Sequence, residues 1–237
     1  MKLVLFDIDG TILWSDGAGK RAFGAALVEV FGHIDYGSYR FDGKTDPQIG
    51  RELLRIAGHP EEHIDAGMPR LLERYLEGLR VEVADPEHHT HVFPGVEALL
   101  DALEARPDVV LGLLTGNLRE GAAIKLRAAG IDPVRFRVGA FGSDHERRPE
   151  LPAIAQRRAR EELGVHVPGD RVVVIGDTPA DVECGRALGA RAIAVATGRY
   201  SVEELLAHAP AAAFPDLTDT AAVMRAILDD DAPSSGA

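Results

Sequence analysis

The chain has 237 residues, 46% of them apolar and 27% charged, with a net charge of −12; this is the balance of a soluble globular protein long enough to bury a core without disulfides, and it excludes collagen-like, coiled-coil and wholly disordered chains. No apolar run approaches the ~18 residues of a membrane span, and the negative field disfavours nucleic acid and anionic membranes as partners. The single cysteine, Cys184, cannot form an internal disulfide, so a reducing, cytoplasmic setting is expected.

In chain order, Lys2–Phe6 is a short apolar run ending in an acid and is expected to be a strand. Residues 17–32, about 47–57 and about 61–80 carry helical patterns with no convincing strand between them, their apolar faces supplied by residues such as Leu53, Leu54, Leu71, Leu72, Tyr75 and Leu79. From residue 94 onward the pattern alternates. Helices are expected at Val96–Arg106, Arg119–Ala129, Leu151–Leu163, Pro179–Leu188, Val202–Ala207 and Thr218–Leu228, and strands at Val109–Leu114, Phe136–Phe141, Arg171–Ile175, Arg191–Ala196 and Ala211–Phe214. Continuous apolar strands separated by helices predict an α/β, doubly wound, mostly parallel sheet. The helical stretch between the first strand and the rest then reads as an insertion. The expected division is a core at residues 1–14 and 92–230, an inserted α-helical domain at 15–91, and an acidic, small-residue tail at 231–237 that is expected to be disordered.

Three strand ends carry the chemistry. Asp7 and Asp9 close the first strand before Gly10-Thr11. Residues i and i+2 of a strand share a face, which sets two carboxylates at the ligand crevice of an open sheet. Adjacent buried anions call for a cation, and an oxygen-rich site of this kind suits Mg²⁺. The plainer alternative is a turn that happens to hold two acids. Thr115-Gly116-Asn117 offers a hydroxyl and exposed backbone N–H groups before a helix, either an anion cradle or an ordinary strand-to-helix turn. Asp177 follows Gly176 at another strand end, and Asp181 lies four residues on, where it either favours the helix dipole or backs a metal ligand.

Together these motifs resemble the haloacid dehalogenase superfamily of phosphohydrolases: Phe6-Asp7-Ile8-Asp9-Gly10-Thr11, Leu114-Thr115-Gly116-Asn117, and Ile175-Gly176-Asp177-Thr178-Pro179-Ala180-Asp181. The resemblance runs from residue 2 to about 228 and implies that the inserted helices are the family's α-helical cap. It implies that Asp7 attacks phosphorus and that Asp9 serves as general acid and then base. It implies that Asp7, Asp9 (through its backbone carbonyl) and Asp177 hold Mg²⁺ with Asp181 behind, and that Thr115, with Gly116 and Asn117, binds the phosphoryl group. The family's third motif is usually a lysine, and the corresponding region, Ser143 to Pro152, has none. Arg148 is the best substitute and Arg147 the second, while Lys125, one of only four lysines, lies in another helix.

The cap segment Phe41-Asp42-Gly43-Lys44-Thr45-Asp46-Pro47 resembles a loop of phosphoglycolate-phosphatase-like members. It nominates Lys44 for a substrate carboxylate, ahead of Lys20 and Arg21, with a solvated surface lysine as the plainer alternative. The expected protein is therefore a Mg²⁺-dependent phosphatase of a small phosphorylated metabolite, with 2-phosphoglycolate the candidate ester, acting as a monomer or homodimer. A sugar-phosphate mutase and a catalytically weak binding protein are the alternatives. A C–halogen hydrolase is disfavoured by Asp9, because a halide leaves without a proton.

Overall fold

The structure, a computed structural model, describes residues 1–229. The expected tail at 231–237 lies outside the described residues. In chain order the elements are β1 (Lys2–Phe6), β2 (Leu13–Trp14), α1 (Ala18–Phe31), α2 (Asp46–Ile56), α3 (Glu61–Ala84), β3 (His91–Val92), α4 (Val96–Glu104), β4 (Val109–Thr115), α5 (Arg119–Ala128), β5 (Val138–Phe141), α6 (Leu151–Leu163), β6 (Val172–Gly176), α7 (Pro179–Cys184), β7 (Arg191–Val195), α8 (Val202–Leu206), β8 (Ala212–Phe214) and α9 (Thr220–Leu228).

Six strands form one parallel sheet in the order β5-β4-β1-β6-β7-β8. All five residues of β1 are buried, as a central strand covered on both faces requires. Phe6 pairs with Leu113 of β4 on one side and with Ile175 of β6 on the other. The chain winds outward through β4 and β5, then returns to the far side of β1 and winds through β6 to β8. That reversal opens a crevice beyond the carboxyl ends of β4, β1 and β6, which are the three strands whose ends carry the acidic and hydroxyl motifs.

Helices α1, α2 and α3 bury a cluster of their own, in which Phe23, Leu27, Leu53, Leu54, Ile64, Leu71, Tyr75 and Leu79 are almost inaccessible. Phe23 meets Tyr75 edge to face with 5.1 Å between ring centroids. Leu118, just before α5, joins this cluster and so packs the helical layer onto the sheet layer.

Local differences from the sequence reading have plain causes. The chain enters and leaves the helical segment through a two-stranded antiparallel ribbon, Leu13 opposite Val92 and Trp14 opposite His91; two residues per strand are too few to show alternation. Helix α3 runs on to Ala84 because nothing between residues 80 and 84 breaks it, and its internal Pro69 sits on the exposed side. Helix α7 stops at Cys184, and a 3₁₀ turn at Arg186–Leu188 follows Gly185. No helix among the described residues is long and apolar enough to cross a membrane.

Candidate active site

Asp7, Asp177 and Asp181 meet beyond the sheet edge, with one carboxylate oxygen from each lying within 4.8 Å of the others. The Asp7 N–H donates to the Ile175 carbonyl at 2.9 Å, which continues the β1–β6 ladder by one residue and places Asp7 beside Asp177. Asp177 is confined from three sides. Thr11 Oγ1 donates to its Oδ1 at 3.1 Å. Gly10, at φ +83°, and Gly198 approach so closely that a Cβ on either would fall 2.4 Å and 1.8 Å from Asp177 Oδ2. Asp181 caps a helix and pairs with a buried cation. It forms a reciprocal cap with Thr178 at the start of α7, accepting from the Thr178 N–H at 3.0 Å and hydroxyl at 2.6 Å, and its other oxygen pairs with Arg148.

Arg148 is buried against these acids. Its Nη2 lies 3.1 Å from Asp7 Oδ2 and it also donates to Asp181, so the segment before α6 sets a buried cation beside Asp7. Arg147 points away and is 73% exposed, its nearest acid being Glu150 at 3.8 Å. Burial opposes the charge on Arg148, but Asp181 and Asp7 outweigh it and keep the guanidinium protonated. Burial raises the Asp7 carboxyl to about 6 against the pull of Arg148, with Asp181 adding to the rise. Burial also lifts Asp177 well above the carboxylate range, helped by Asp181 and Asp7. Three buried acids against one buried cation leave excess negative charge in a low-dielectric pocket, and an oxygen-only donor set of that charge fits Mg²⁺. Cys184, below this cluster, has its thiol pushed up to about 12 by burial, which makes it an inert packing residue.

Asp9 stands apart from the trio. Its Oδ2 accepts from Asn117 Nδ2 at 2.7 Å and from Lys125 Nζ at 2.7 Å. Lys125 also donates to Asn117 Oδ1 at 2.7 Å, and Asn117 Nδ2 donates to Thr115 Oγ1 at 2.8 Å. The motif at the end of β4 is thus linked to the motif at the end of β1 through Asn117. Lys125 is a residue that the sequence reading passed over as lying in another helix. It does lie in α5, but side chains lean toward the N-terminus of their helix, and a long stem two turns in reaches back to the sheet edge. The signal was present: Gly121, Ala122, Lys125 and Leu126 form the buried stripe of α5, so a lysine occupies a core-facing position.

The helical layer closes over this edge. The Asp46 N–H donates to the Gly116 carbonyl at 2.8 Å, and Asp46 Oδ2 accepts from the Leu118 N–H at 2.8 Å. Thr45 Oγ1 donates to the Glu146 carbonyl at 2.7 Å, and Arg51 Nε lies 3.0 Å from the Glu146 carboxylate. The loop before α2 also touches the start of α7, for a Cβ on Gly43 would fall 2.8 Å from that of Ala180. Lys44 contributes its backbone here and not its ammonium, which is held by Glu52 at 2.5 Å and the Tyr39 hydroxyl at 2.6 Å. Lys20 donates to the Gly37 carbonyl at 2.9 Å and Arg21 pairs with Glu82 at 2.7 Å, both within the helical layer. Asp46 was missed by the sequence reading, although Thr45-Asp46-Pro47 is a visible helix start.

Two predictions arise at this seam. Gly116 has no room for a side chain, because a Cβ would fall 2.0 Å from the Lys44 carbonyl oxygen. Gly116→Ala should therefore lift the helical layer off the sheet edge and lower turnover on the order of 10²-fold by misplacing reacting groups, with the far-UV spectrum of the protein unchanged. Asp46 is raised to about 6, chiefly by burial and against the pull of Lys125. An acid whose folded value exceeds its unfolded one contributes stability below about pH 4 that is lost as pH rises through about 6. Asp46→Asn should thus gain stability over the parent by roughly 2–3 kcal/mol at pH 7 and by nothing at pH 3.5; denaturant melts of the pair at both pH values check this.

A family model of haloacid dehalogenase-like hydrolases matches residues 1–189. The chain belongs to that family. Among curated relatives, a phosphoglycolate phosphatase of Rhodospirillum rubrum is 27% identical over 239 aligned positions, covering 91% of this chain and 87% of the relative. A phosphoglycolate phosphatase of Synechococcus elongatus is likewise 27% identical, covering 89% of this chain and 91% of the relative. Among solved structures, a hydrolase from Pseudomonas syringae superposes with a TM-score of 0.73 at 22% identity, covering 97% of this chain and all of that one. At that identity the likeness shows the fold.

Proposed function

We propose that this hydrolase is a Mg²⁺-dependent phosphatase that cleaves small phosphate monoesters through an aspartyl-phosphate on Asp7. The observation that carries the reading is the pairing of a buried nucleophile-grade carboxylate, Asp7, with Arg148 at 3.1 Å inside a cluster of acids that is short of positive charge. Asp7 and Asp177 would hold the metal, with Asp181 behind. Bound there, Mg²⁺ would supply the charge that lets an anionic ester approach an anionic nucleophile.

The chain's own groups would then divide the work. Asp7 forms a bond to phosphorus, and the ester oxygen leaves with the electron pair of the broken bond. Asp9 gives that alkoxide a proton and later takes one from the water that cleaves the acyl-phosphate. Thr115, at the end of β4, offers its hydroxyl to the phosphoryl oxygens beside the backbone N–H of Gly116, while the Asn117 amide stays on Asp9 and Thr115. Arg148 keeps Asp7 oriented through one nitrogen, Nη2, which meets both Asp7 and Asp181.

The seating of the Gly43–Asp46 loop against both Gly116 and Ala180 supports a small ester over a polymeric one. The two curated relatives named above carry the name phosphoglycolate phosphatase, and 2-phosphoglycolate is the first substrate to try. The candidate for its carboxylate, Lys44, would have to exchange Glu52 for the ligand. We place the protein in the cytoplasm, as a monomer or homodimer, with no nucleic-acid or membrane partner. The deciding assay is phosphate release from a panel of monoesters, 2-phosphoglycolate included, with Mg²⁺ and with chelator. Metal-dependent release with one preferred ester supports the reading, and no release from any ester by folded, Mg²⁺-supplied protein overturns it.

A further inference from the structure

Lys125 is buried, with its side chain 6% exposed, and its ammonium is committed to Asp9 Oδ2 and Asn117 Oδ1 at 2.7 Å each. Asn117 Nδ2 closes the ring by donating to the same Asp9 oxygen at 2.7 Å. Both donors take Oδ2, and Asp9 Oδ1 takes no hydrogen bond among the described residues. A carboxylate held this way is fixed about its side-chain torsions while one oxygen stays available for proton exchange.

The lysine itself is gripped from the helical layer. Gly19 of α1 lies over it, so that a Cβ there would fall 3.2 Å from Nζ. Asp46 of α2 feels its charge, and the Tyr75 hydroxyl of α3 lies beside it, 3.8 Å from where a Gly19 Cβ would fall. All three inserted helices therefore converge on one core lysine, and that lysine converges on Asp9.

We propose that Lys125 is the positioning residue for Asp9, and that seating of the helical layer locks it in place. The proposal rests on the phosphatase reading above and deepens it. In the second half-reaction the water oxygen bonds to phosphorus, the phosphorus–oxygen bond to Asp7 breaks with its electrons returning to the Asp7 carboxylate, and the water proton passes to Asp9. Lys125 and Asn117 hold Asp9 Oδ2 so that Asp9 is in place for that transfer. The first half-reaction with an aryl ester does not need the proton, because a phenolate with a low pKa leaves unaided.

The test uses p-nitrophenyl phosphate with Mg²⁺ and rapid mixing. Lys125→Met should release a burst of p-nitrophenolate close to the enzyme concentration, then turn over about 10²-fold more slowly than the parent, with KM falling alongside kcat so that kcat/KM stays within about threefold. Asp9→Asn should behave alike. The double variant should be no slower than Asp9→Asn alone, because removing the positioner of an absent group costs nothing further. Lys125→Arg keeps the charge and the donors, and should recover turnover to within about tenfold.

A raised KM at unchanged kcat would make Lys125 a substrate ligand and overturn the proposal. So would a double variant slowed by the full product of the two single effects, or a Lys125→Met enzyme with no burst. Should Lys125→Met not fold, Lys125→Gln carries the same comparison. The two readings fail separately. If the parent protein releases no phosphate from any ester, the phosphatase reading falls. If the parent works, Asp7→Asn does not, and Lys125→Met matches the parent, only the role of Lys125 falls.

Discussion

Asp7→Asn is expected to remove ester hydrolysis, by about 10⁴-fold or more, while making the metal-free protein more stable at neutral pH. The loss follows from chemistry: an amide oxygen is a poor nucleophile, and no other group in the cluster is placed to replace it. The gain follows from electrostatics. Asp7 is raised to about 6 because burial penalises its charge and Asp181 repels it, while Arg148 compensates only in part. Its stabilising contribution is present below about pH 4 and is lost as pH rises through about 6. Above pH 6 the ionised Asp7 therefore weakens the fold by up to about 3 kcal/mol, and the amide does not. Thermal melts in chelator at pH 7.5, beside initial rates of phosphate release with Mg²⁺, test both halves. A variant that is both inactive and less stable than the parent would show that Asp7 holds the fold together instead of straining it.

Mg²⁺ should raise the melting temperature, and Asp177→Asn should abolish that rise together with turnover. The acids at the edge are Asp7, Asp9, Asp177 and Asp181, and the cations beside them are Arg148 and Lys125. The imbalance of two negative charges equals the charge of one divalent ion. An ion that binds the native state and not the unfolded chain should, at about 100 times Kd, stabilise it by about 2.7 kcal/mol. For a chain of this length that is a shift of roughly 5–10 °C. The shift should shrink as pH falls toward 5, where Asp7, raised to about 6, takes up a proton that competes with the metal. An equal Mg²⁺ shift in the parent and in Asp177→Asn would place the metal elsewhere.

The sheet was legible in the sequence because its strands are buried on both faces, and continuous apolar runs such as Val172-Val173-Val174-Ile175 have no other common use. The acids at the strand ends were legible for a related reason: charge placed directly after such a run has to face a crevice or a solvent edge. Arg148 could be picked out only through the resemblance, since its segment corresponds to the family's third motif, where a lysine is usual. What escaped was everything set by the meeting of layers. Asp46 sits two residues from Lys44, and nothing in the sequence says that its carboxylate and not the lysine ammonium crosses the seam. Lys125 was discounted because position along the chain was weighed above position on the helix. The ribbon of β2 and β3 has too few residues to announce itself.

The four lysines also bear on how this molecule meets electrophiles. Lys2 is buried in the central strand, Lys20 is half-buried and donates to the Gly37 carbonyl, Lys44 is partly covered by its partners, and Lys125 lies beneath the helical layer. An acylating reagent would find few accessible amines on this surface. The amine of Lys125 becomes nucleophilic toward such a reagent only when the helices above it separate from the sheet and Asp9 lets go. With so few lysines in the chain, each acylated peptide is assigned without ambiguity by mass. The rate at which Lys125 is acylated, with and without an ester analogue, is therefore a clock for the breathing of the two layers.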